Sequence, residues 1–237
     1  MTKIGIIGYK GYVGKNIYQE CIKRNLNVVG IDRENFMEKK NDHYDILINS
    51  AMPSKRFWAL NNPMEDFYAT VELTAGIVYE WKYKKLIHIS SVSARCQIDH
   101  PYGLNKKCSE ELVLHSNKEN LVIRLGSMFG DGLEKGVLID ILNNNQVFVS
   151  KDSRYNFINI KKSSVFICDR FEQHGVIDIG SKDTISISSI VKHLGIKRPL
   201  GSRIEVQETE DPAIDFPSAT EVFGYLDEVV IKNSGFE

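Results

Sequence analysis

The sequence lacks the features that mark several specialised classes of protein. No apolar run approaches the ~20 residues that a membrane span needs, and the opening residues meet glycine too soon for a signal peptide. With 30 basic and 31 acidic residues, the net charge of -1 gives no reason to expect nucleic acid or a membrane surface as a partner. We therefore expect a soluble, cytoplasmic protein.

Cysteine is scarce as well. The 237 residues include four cysteines, without the paired spacing of a redox motif or a metal site: Cys21, Cys96, Cys108 and Cys168. Reduced thiols are the simplest account of them, and no metal site is predicted. The length and the 42% apolar content suit one α/β domain, alone or with a small lobe.

Short apolar runs alternate with longer helical patterns in the first half of the chain. The predicted strands cover residues 4–8, 27–32, 45–51, 85–91 and 121–125, and the predicted helices cover 12–23, 66–81 and 102–115. Strands that are apolar on nearly every residue are typical of parallel sheets covered on both faces. The pattern predicts an α/β fold with a Rossmann-type doubly wound parallel sheet. Only 13 positions lead from Asp32 to Asp45, too few for a helix and another strand, so we predict a trimmed edge.

Glycine-rich loops follow Leu125, and the pattern loosens. It predicts helices at 137–142, 186–193 and 219–223, short strands at 147–149 and 157–160, and a further strand at 176–180. We therefore expect residues 1–125 to form a dinucleotide-binding Rossmann core. Residues 126–237 are expected to form a small substrate-binding lobe with a returning Rossmann strand near 176–180, beside the carboxyl ends of the strands, where α/β ligands bind.

A glycine-rich turn follows the first predicted strand and leads directly into a helix. Gly8, Gly11 and Gly14 allow backbone N–H groups to approach a pyrophosphate at the positive end of that helix, with Tyr12 and Val13 in the same turn. The second strand ends in Asp32, which can accept hydroxyls of the adenosine ribose and repel a 2′-phosphate. This favours NAD, although the adjacent Arg33 could stack on adenine or hold a phosphate and leaves NADP as an alternative.

A second group of residues suggests proton transfer. Tyr102 and Lys106 are four positions apart on a predicted helix and therefore share a face. A cation beside a phenol favours the phenolate and suits the tyrosine for acid–base work. Ser91 closes the preceding strand, where its hydroxyl can hold the same substrate oxygen.

These motifs, in this order, resemble the extended short-chain dehydrogenase/reductase superfamily, specifically its NAD-dependent nucleotide-sugar epimerase/dehydratase family. The resemblance covers most of the chain. The stretch from Val122 to Gly130 is similar to the family's R-x-x-N-V-Y-G segment, and the stretch from Tyr155 to Ile160 to its R-D-F-I-x-V segment. Residues 176–181 are similar to its x-N-I-G-S strand.

The resemblance implies hydride transfer at a sugar carbon, with roles for individual residues. Ser91 would orient the substrate oxygen, Tyr102 would be the acid/base, and Lys106 would bind the nicotinamide ribose and lower the tyrosine pKa. Residues at the end of the third strand would line the cofactor, namely Ala51, Met52 and Pro53. Three residues are expected to contact the substrate, namely Ser93, Ser127 and Arg154. Family members often dimerise through the tyrosine helix and its neighbour, so the resemblance also implies a homodimer.

Several departures from the family narrow this interpretation. Val92 and Ser93 stand where sugar dehydratases carry an Asp-Glu pair, which argues against dehydration. Phe67 is aligned with an Asn that usually supports the tyrosine. Tyr155 stands in place of an Arg, although Arg154 is adjacent.

Three functions follow as hypotheses. The first is an NAD(P)-dependent epimerase or keto-reductase acting on a nucleotide-linked sugar. The second is a catalytically silent dinucleotide-binding regulator. The third is a reductase of a smaller carbonyl substrate.

Overall fold

The computed structural model describes residues 2–234, so Met1 and residues 235–237, at the outer ends of the two predicted regions, lie outside it. Eleven strands are assigned within the described residues: β1 (Lys3–Ile7), β2 (Asn27–Ile31), β3 (His43–Asn49), β4 (Lys82–Ser91), β5 (Leu121–Leu125), β6 (Met128–Phe129), β7 (Arg154–Tyr155), β8 (Ile158–Asn159), β9 (Gly175–Ile179), β10 (Ile185–Ser186) and β11 (Val206–Gln207).

Eleven α-helices accompany them over the same residues: α1 (Tyr12–Lys23), α2 (Phe36–Lys39), α3 (Arg56–Asn61), α4 (Pro63–Phe67), α5 (Leu73–Glu80), α6 (Ser93–Cys96), α7 (Pro101–Ser116), α8 (Val137–Leu142), α9 (Ile160–Cys168), α10 (Ile187–His193) and α11 (Val222–Ser234). A π-helical stretch, Tyr68–Glu72, joins α4 to α5, and a 3₁₀ turn, Ala219–Glu221, leads into α11. Within residues 2–234, none of the helices is long and apolar enough to cross a bilayer.

A six-stranded sheet dominates the fold, with the order β2-β1-β3-β4-β5-β9. The pairings from β2 to β5 are parallel. The predicted α/β Rossmann-type sheet is therefore confirmed. Strand β2 lies at the edge, with only the four-residue α2 between it and β3, as the predicted trimmed edge requires.

The chain divides into two compact units. The first comprises the residues up to Leu125 together with Ser164–Ile177, and the second comprises Gly126–Ser163 together with the residues from Asp178 onward. Residues 164–177 thus group with the sheet and not with the lobe in which the sequence analysis places them. The physical reason is that Cys168 packs beside Cys21 of α1, with 3.9 Å between the two sulfurs, and β9 joins the sheet next to β5.

Each unit has its own apolar core. In the first, Ile7, Leu47, Leu86 and Val122 of the sheet pack with Ile77 of α5. In the second, the core gathers apolar residues from short elements, namely Phe129, Leu138, Ile141, Val147, Tyr155, Phe157, Ile187, Ile190, Val222 and Leu226.

Short elements of the second unit differ most from the predicted ones. The strand predicted at 147–149 is a single bridge between Val149 and Arg203. The strand predicted at 157–160 is reduced to β8, because Ile160 already begins α9, a helix that the sequence analysis does not predict.

Candidate active site

The glycine turn adopts a geometry that only glycines permit. Gly8 has φ +83°, a conformation that side chains disfavour. A Cβ on Gly14 would lie 2.3 Å from the Gly8 carbonyl oxygen and 2.5 Å from Ser50 Oγ. Gly11 is the N-cap of α1, so the first turn of this 12-residue helix has no side-chain cap. This arrangement fits the phosphates of a dinucleotide.

Tyr12 and Val13, which the sequence analysis adds to this loop, begin α1, and both are half-buried. The Tyr12 carbonyl oxygen accepts from Asn16 Nδ2 at 2.8 Å. Their backbone, more than their side chains, therefore forms the start of the helix that the phosphates would face.

Asp32 follows β2, as predicted, but its carboxylate already has partners in the protein. One oxygen accepts from the backbone amides of Glu34 and Asn35, and the other pairs with Lys10 Nζ at 2.5 Å. The hydrogen bond from Lys10 holds the pKa of Asp32 below its usual value, so the group is anionic at neutral pH. A ribose hydroxyl can reach the second oxygen once the largely exposed Lys10 side chain moves. Arg33 is exposed beside this pair.

The end of β3 lies against the glycine turn. A Cβ on Gly8 would lie 2.8 Å from Ala51 Cα, so the two backbone segments are in close approach. The Ala51 amide donates to Asn49 Oδ1 at 3.2 Å, and Met52 and Pro53 follow at half-buried positions. The structure therefore brings Ala51 together with the phosphate loop and carries Met52 and Pro53 on the same segment.

Ser91, Tyr102 and Lys106 converge, as the sequence analysis predicts. Ser91 is the last residue of β4, and its hydroxyl is hydrogen-bonded to the Tyr102 phenol. Lys106 Nζ lies 5.4 Å from the centroid of the Tyr102 ring. Helix α7 begins at Pro101, and its N-cap His100 accepts from the Tyr102 amide at 3.2 Å. This cap fixes the tyrosine in the first turn of the helix.

Burial dominates the electrostatics of this pair. It raises the pKa of Tyr102 above its usual value, against the opposing effects of the Arg56 guanidinium and the Ser91 hydrogen bond. It also lowers the pKa of Lys106 to about 7, against the attraction of Asp66 and Glu110. Arg56, Ser91 and Asp66 are the groups that act on the pKa of Tyr102 beside burial, and burial destabilises the Lys106 cation itself, so the lowering of the tyrosine pKa by Lys106 stays a prediction. With its pKa raised by burial, the Tyr102 phenol is protonated at neutral pH.

A buried polar chain connects the β3 end to the tyrosine helix. Asn49 Nδ2 lies 3.4 Å from His88 Nδ1, and His88 Nε2 lies 3.0 Å from Ser109 Oγ. Because Asn49 Oδ1 accepts from Ala51, its amide group must donate to His88 Nδ1, which leaves the histidine proton on Nε2. The Ser109 hydroxyl then donates to the Lys106 carbonyl oxygen at 2.7 Å. Burial lowers the pKa of His88 to about 3, so the ring is neutral.

A buried ion pair holds α7 against the sheet. Arg124 of β5 donates three hydrogen bonds to Glu110, at 2.7 Å from Nη2 to Oε2 and at 3.0 and 3.2 Å from Nε to Oε1 and Oε2. The Ser90 hydroxyl donates to the same carboxylate at 2.6 Å. Charged groups that are buried need such complete pairing. The ion pair therefore fixes the helix that carries Tyr102 and Lys106.

Two residues that the sequence does not mark, Arg56 and Gln97, bind each other, and Gln97 also binds the predicted Ser93. Arg56, the first residue of α3, donates to Gln97 Oε1 at 2.9 Å, and the Ser93 hydroxyl donates to the same oxygen at 2.8 Å. Ser93 is buried, so its predicted contact with substrate requires this hydrogen bond to break. The Ser93 backbone amide donates to Ser91 Oγ at 3.2 Å, so Ser93 helps to orient the Ser91 hydroxyl.

The helical segment that aligns with the family's supporting Asn buries polar residues that the sequence does not mark. Phe67, which aligns near that Asn, is 38% exposed. Asp66 and Thr70 are fully buried instead, and Asp66 Oδ2 accepts from Asn105 Nδ2 of α7 at 2.8 Å. An acidic residue in an amphipathic helix looks solvent-facing in a sequence, and no sequence signal marks this one.

The remaining predicted site residues lie in the second unit. Ser127 is half-buried, and its hydroxyl donates to Gln207 Oε1 at 2.8 Å. The exposed Arg154 donates from Nε to Thr184 Oγ1 at 2.9 Å. Both side chains are thus held by neighbours in their own unit.

Comparison with known proteins finds likeness in structure alone. No protein-family profile matches the chain, and no curated protein matches its sequence. MoeE5 in complex with UDP-glucose and NAD superposes with a TM-score of 0.81, at 15% identity over 98% of this chain and 100% of MoeE5. The dTDP-4-dehydrorhamnose reductase of Bacillus anthracis in complex with NADP gives 0.74, at 12% identity over 96% and 99% of the two chains.

A variant of UDP-glucuronic acid 4-epimerase from Bacillus cereus, in complex with NAD and a fluorinated sugar nucleotide, gives a TM-score of 0.72. Its identity is 16% over 96% of this chain and 99% of the epimerase. At such low identities the likeness establishes the fold. The chain thus has the fold of the extended short-chain dehydrogenases/reductases that the resemblance implies.

Proposed function

We propose that the chain is an NAD(P)-dependent oxidoreductase of the extended short-chain dehydrogenase/reductase type, an epimerase or keto-reductase of a nucleotide-linked sugar. The observation that carries the proposal is the Ser91–Tyr102–Lys106 group at the carboxyl end of β4, in a unit that also carries the glycine turn. The structural neighbours are crystallised with NAD or NADP and with sugar nucleotides, and they support the same class of ligands.

In this proposal, one group of residues binds the cofactor. A bound nicotinamide dinucleotide supplies the hydride chemistry. Gly8, Gly11 and Gly14 hold its phosphates, and Asp32 accepts from its adenosine ribose. Ala51, Met52 and Pro53 line the cofactor.

At the reacting carbon, Ser91 holds the substrate oxygen, and the Tyr102 hydroxyl exchanges a proton with it. Lys106 binds the nicotinamide ribose. Because Tyr102 is protonated in the protein's own field, it is ready to give a proton to a carbonyl oxygen, which is the direction of a reduction.

A cofactor-consumption assay tests the proposal and separates its two forms. Purified protein is mixed with NADH or NADPH and a panel of keto-sugar nucleotides, and with NAD and the corresponding hydroxy sugars. A reductase consumes the reduced cofactor in proportion to product, whereas an epimerase converts sugar without net change in absorbance at 340 nm. Cofactor binding without turnover of any sugar would favour the regulator, and turnover of small carbonyl compounds alone would favour the third hypothesis.

We also propose that Ser127 and Arg154 contact the substrate. Replacement of Ser127 by Ala, or Arg154 by Gln, is expected to raise KM for the sugar nucleotide while leaving cofactor affinity unchanged. Unchanged KM in both variants would remove these residues from the site.

A homodimer is the assembly that we propose for this chain. Large apolar side chains are exposed on α4, the π-helical stretch and α7, namely Met64 (53%), Tyr68 (52%) and Leu104 (50%). A second copy of the chain would cover them with the same surface, as in a two-fold interface. Sedimentation equilibrium should give a dimer for the wild type and a monomer for Leu104→Glu, and a monomeric wild type would refute the proposal.

A further inference from the structure

Asn156 is a fully buried polar residue at the centre of a hydrogen-bond network in the second unit. It lies between β7 and β8, and its Oδ1 accepts from the Ser127 amide at 3.3 Å. Its Nδ2 donates to Thr209 Oγ1 at 2.9 Å, and its own carbonyl oxygen accepts from the Ser181 amide at 3.3 Å. One residue thus joins three segments that are far apart in the sequence.

Two glycines pack directly against the Asn156 amide. A Cβ on Gly126 would lie 2.5 Å from Asn156 Nδ2, and a Cβ on Gly180 would lie 2.4 Å from the same nitrogen. The Gly126 amide also donates to the Ile179 carbonyl oxygen at 2.9 Å, so the two glycine segments run side by side. The backbone of both segments therefore encloses the amide and fixes its position.

The directions of the hydrogen bonds require an amide at this position. The Thr209 hydroxyl donates its one proton to the Ser181 carbonyl oxygen at 2.7 Å, so towards Asn156 it can only accept. The Ser127 amide can only donate. The side chain at position 156 must therefore donate on one side and accept on the other. A carboxylate supplies no donor, and an apolar side chain supplies neither group.

Ser127, the residue proposed to contact the substrate, is held at three points. Asn156 binds its amide, and its carbonyl oxygen accepts from the Ile158 amide at 2.9 Å. Its hydroxyl donates to Oε1 of the buried Gln207 at 2.8 Å. Gln207 lies two positions before Thr209, the residue that binds the Asn156 amide. The backbone and the hydroxyl of Ser127 are thus fixed by one connected network.

We propose that Asn156 is a positioning residue of the substrate site. It holds the Ser127 backbone where the serine side chain can contact the substrate, and Thr209 fixes the direction of its amide group. The contact between Ser127 and the substrate rests on the proposed function. The hold of Asn156 on Ser127 does not.

Hydrogen exchange at the Ser127 amide, followed by NMR on ¹⁵N-labelled protein, tests the proposal without a substrate. In Asn156→Leu, which has neither donor nor acceptor, this amide should exchange at least about 10-fold faster than in the wild type. Thr209→Val removes only the acceptor of Asn156 Nδ2 and should speed the exchange about 3- to 10-fold. Thr209→Ser keeps the hydroxyl and should retain the wild-type rate. The Thr209 pair decides the question if Asn156→Leu folds poorly.

Ser163→Ala is the matched control. The Ser163 hydroxyl is buried in the same unit and donates to the Asn159 and Ile160 carbonyl oxygens, so its loss removes a buried hydroxyl without touching Asn156. The Ser127 amide of this variant should exchange at the wild-type rate. Equal acceleration in Ser163→Ala and Thr209→Val would indicate general loosening of the unit and overturn the proposal. An unchanged rate in Thr209→Val would overturn it as well.

In an active enzyme, kinetics separate positioning from support of the fold. Thr209→Val should raise KM for the sugar nucleotide about 10-fold and leave kcat and NADH affinity nearly unchanged, and Thr209→Ser should keep the wild-type KM. An unchanged KM, or a loss of kcat alone, would remove Asn156 from the substrate site. Faster Ser127 exchange in a protein that turns over no sugar would leave the hold of Asn156 standing and reject the proposed function instead.

Discussion

Lys106 Nζ lies 5.4 Å from the centroid of the Tyr102 ring, and both side chains are almost wholly buried. The i, i+4 spacing places them on one face of α7, and burial then sets their charges. Burial raises the pKa of the phenol and lowers the pKa of the ammonium to about 7. Because the pKa of Lys106 lies near neutral pH, a small change in pH or in the surrounding charges alters the fraction of the lysine that is protonated.

Stability should depend on pH through Lys106. A lysine whose pKa falls on folding binds fewer protons in the folded chain than in the unfolded chain between the two values, here about 7 and 10.5. The free energy of unfolding therefore rises with pH over that window, by at most about 1.4 kcal/mol per pH unit. Lys106→Met removes this contribution. Urea denaturation at pH 7 and pH 9 should show the wild type gaining ~2 kcal/mol relative to the variant, and parallel pH dependences would contradict the buried, titrating lysine.

Two helical glycines should respond to alanine in opposite directions. At Gly103 a Cβ would lie 2.1 Å from the Gln97 carbonyl oxygen and 2.6 Å from that of Ser93, so Gly103→Ala forces α7 and α6 apart. We expect a loss of about 1–3 kcal/mol. Gly76 in α5 meets nothing within 4 Å, so Gly76→Ala should stabilise by ~0.5–1 kcal/mol. Thermal denaturation of the pair checks this, and similar effects at both positions would refute the close packing of α7 on α6.

Cofactor choice should depend on Asp32. Asp32→Asn removes a carboxylate that accepts hydrogen bonds from the ribose hydroxyls and whose charge repels a 2′-phosphate. Affinity for NADH should therefore fall about ten-fold, and affinity for NADPH should rise. Lys10→Met is the control: it removes the partner at 2.5 Å and should leave NADH affinity equal or higher. Calorimetric titration of both cofactors measures this. Unchanged affinities in Asp32→Asn would place the adenosine ribose elsewhere.

The sequence predicts the parts of the fold that local pattern determines. Strands β1 to β5 and β9 each contain a short apolar run, and each was predictable to within three residues at either end. Strands β7, β10 and β11 have two residues each and no period of their own, because tertiary pairing alone defines them. Helix α9 begins at Ile160, directly after the apolar residues Phe157 and Ile158. Because Ile160 continues this strand-like pattern, the sequence predicts a strand where the helix begins.

The site residues also divide into those that the sequence predicts and those that it does not. Ser91, Tyr102 and the glycines follow from motif order, whereas Asp66 and Arg56 act on Tyr102 across elements that are distant in sequence. Phe67, which aligns near the family's supporting Asn, is 38% exposed, whereas Asp66 and Thr70 of the same helical segment are fully buried. Spacing within one element was predictable, but charge interactions between elements were not.

Deuteride transfer tests the proposed function most directly. The protein is incubated with NADH deuterated at C4 and a keto-sugar nucleotide, and the sugar product is weighed by mass spectrometry. The wild type should yield a product one mass unit heavier than with ordinary NADH, and Tyr102→Phe should bind NADH normally but form product ~10²- to 10⁴-fold more slowly. Absence of labelled product with every sugar, or equal rates for wild type and Tyr102→Phe, would contradict Tyr102 as the acid/base of a hydride-transfer enzyme.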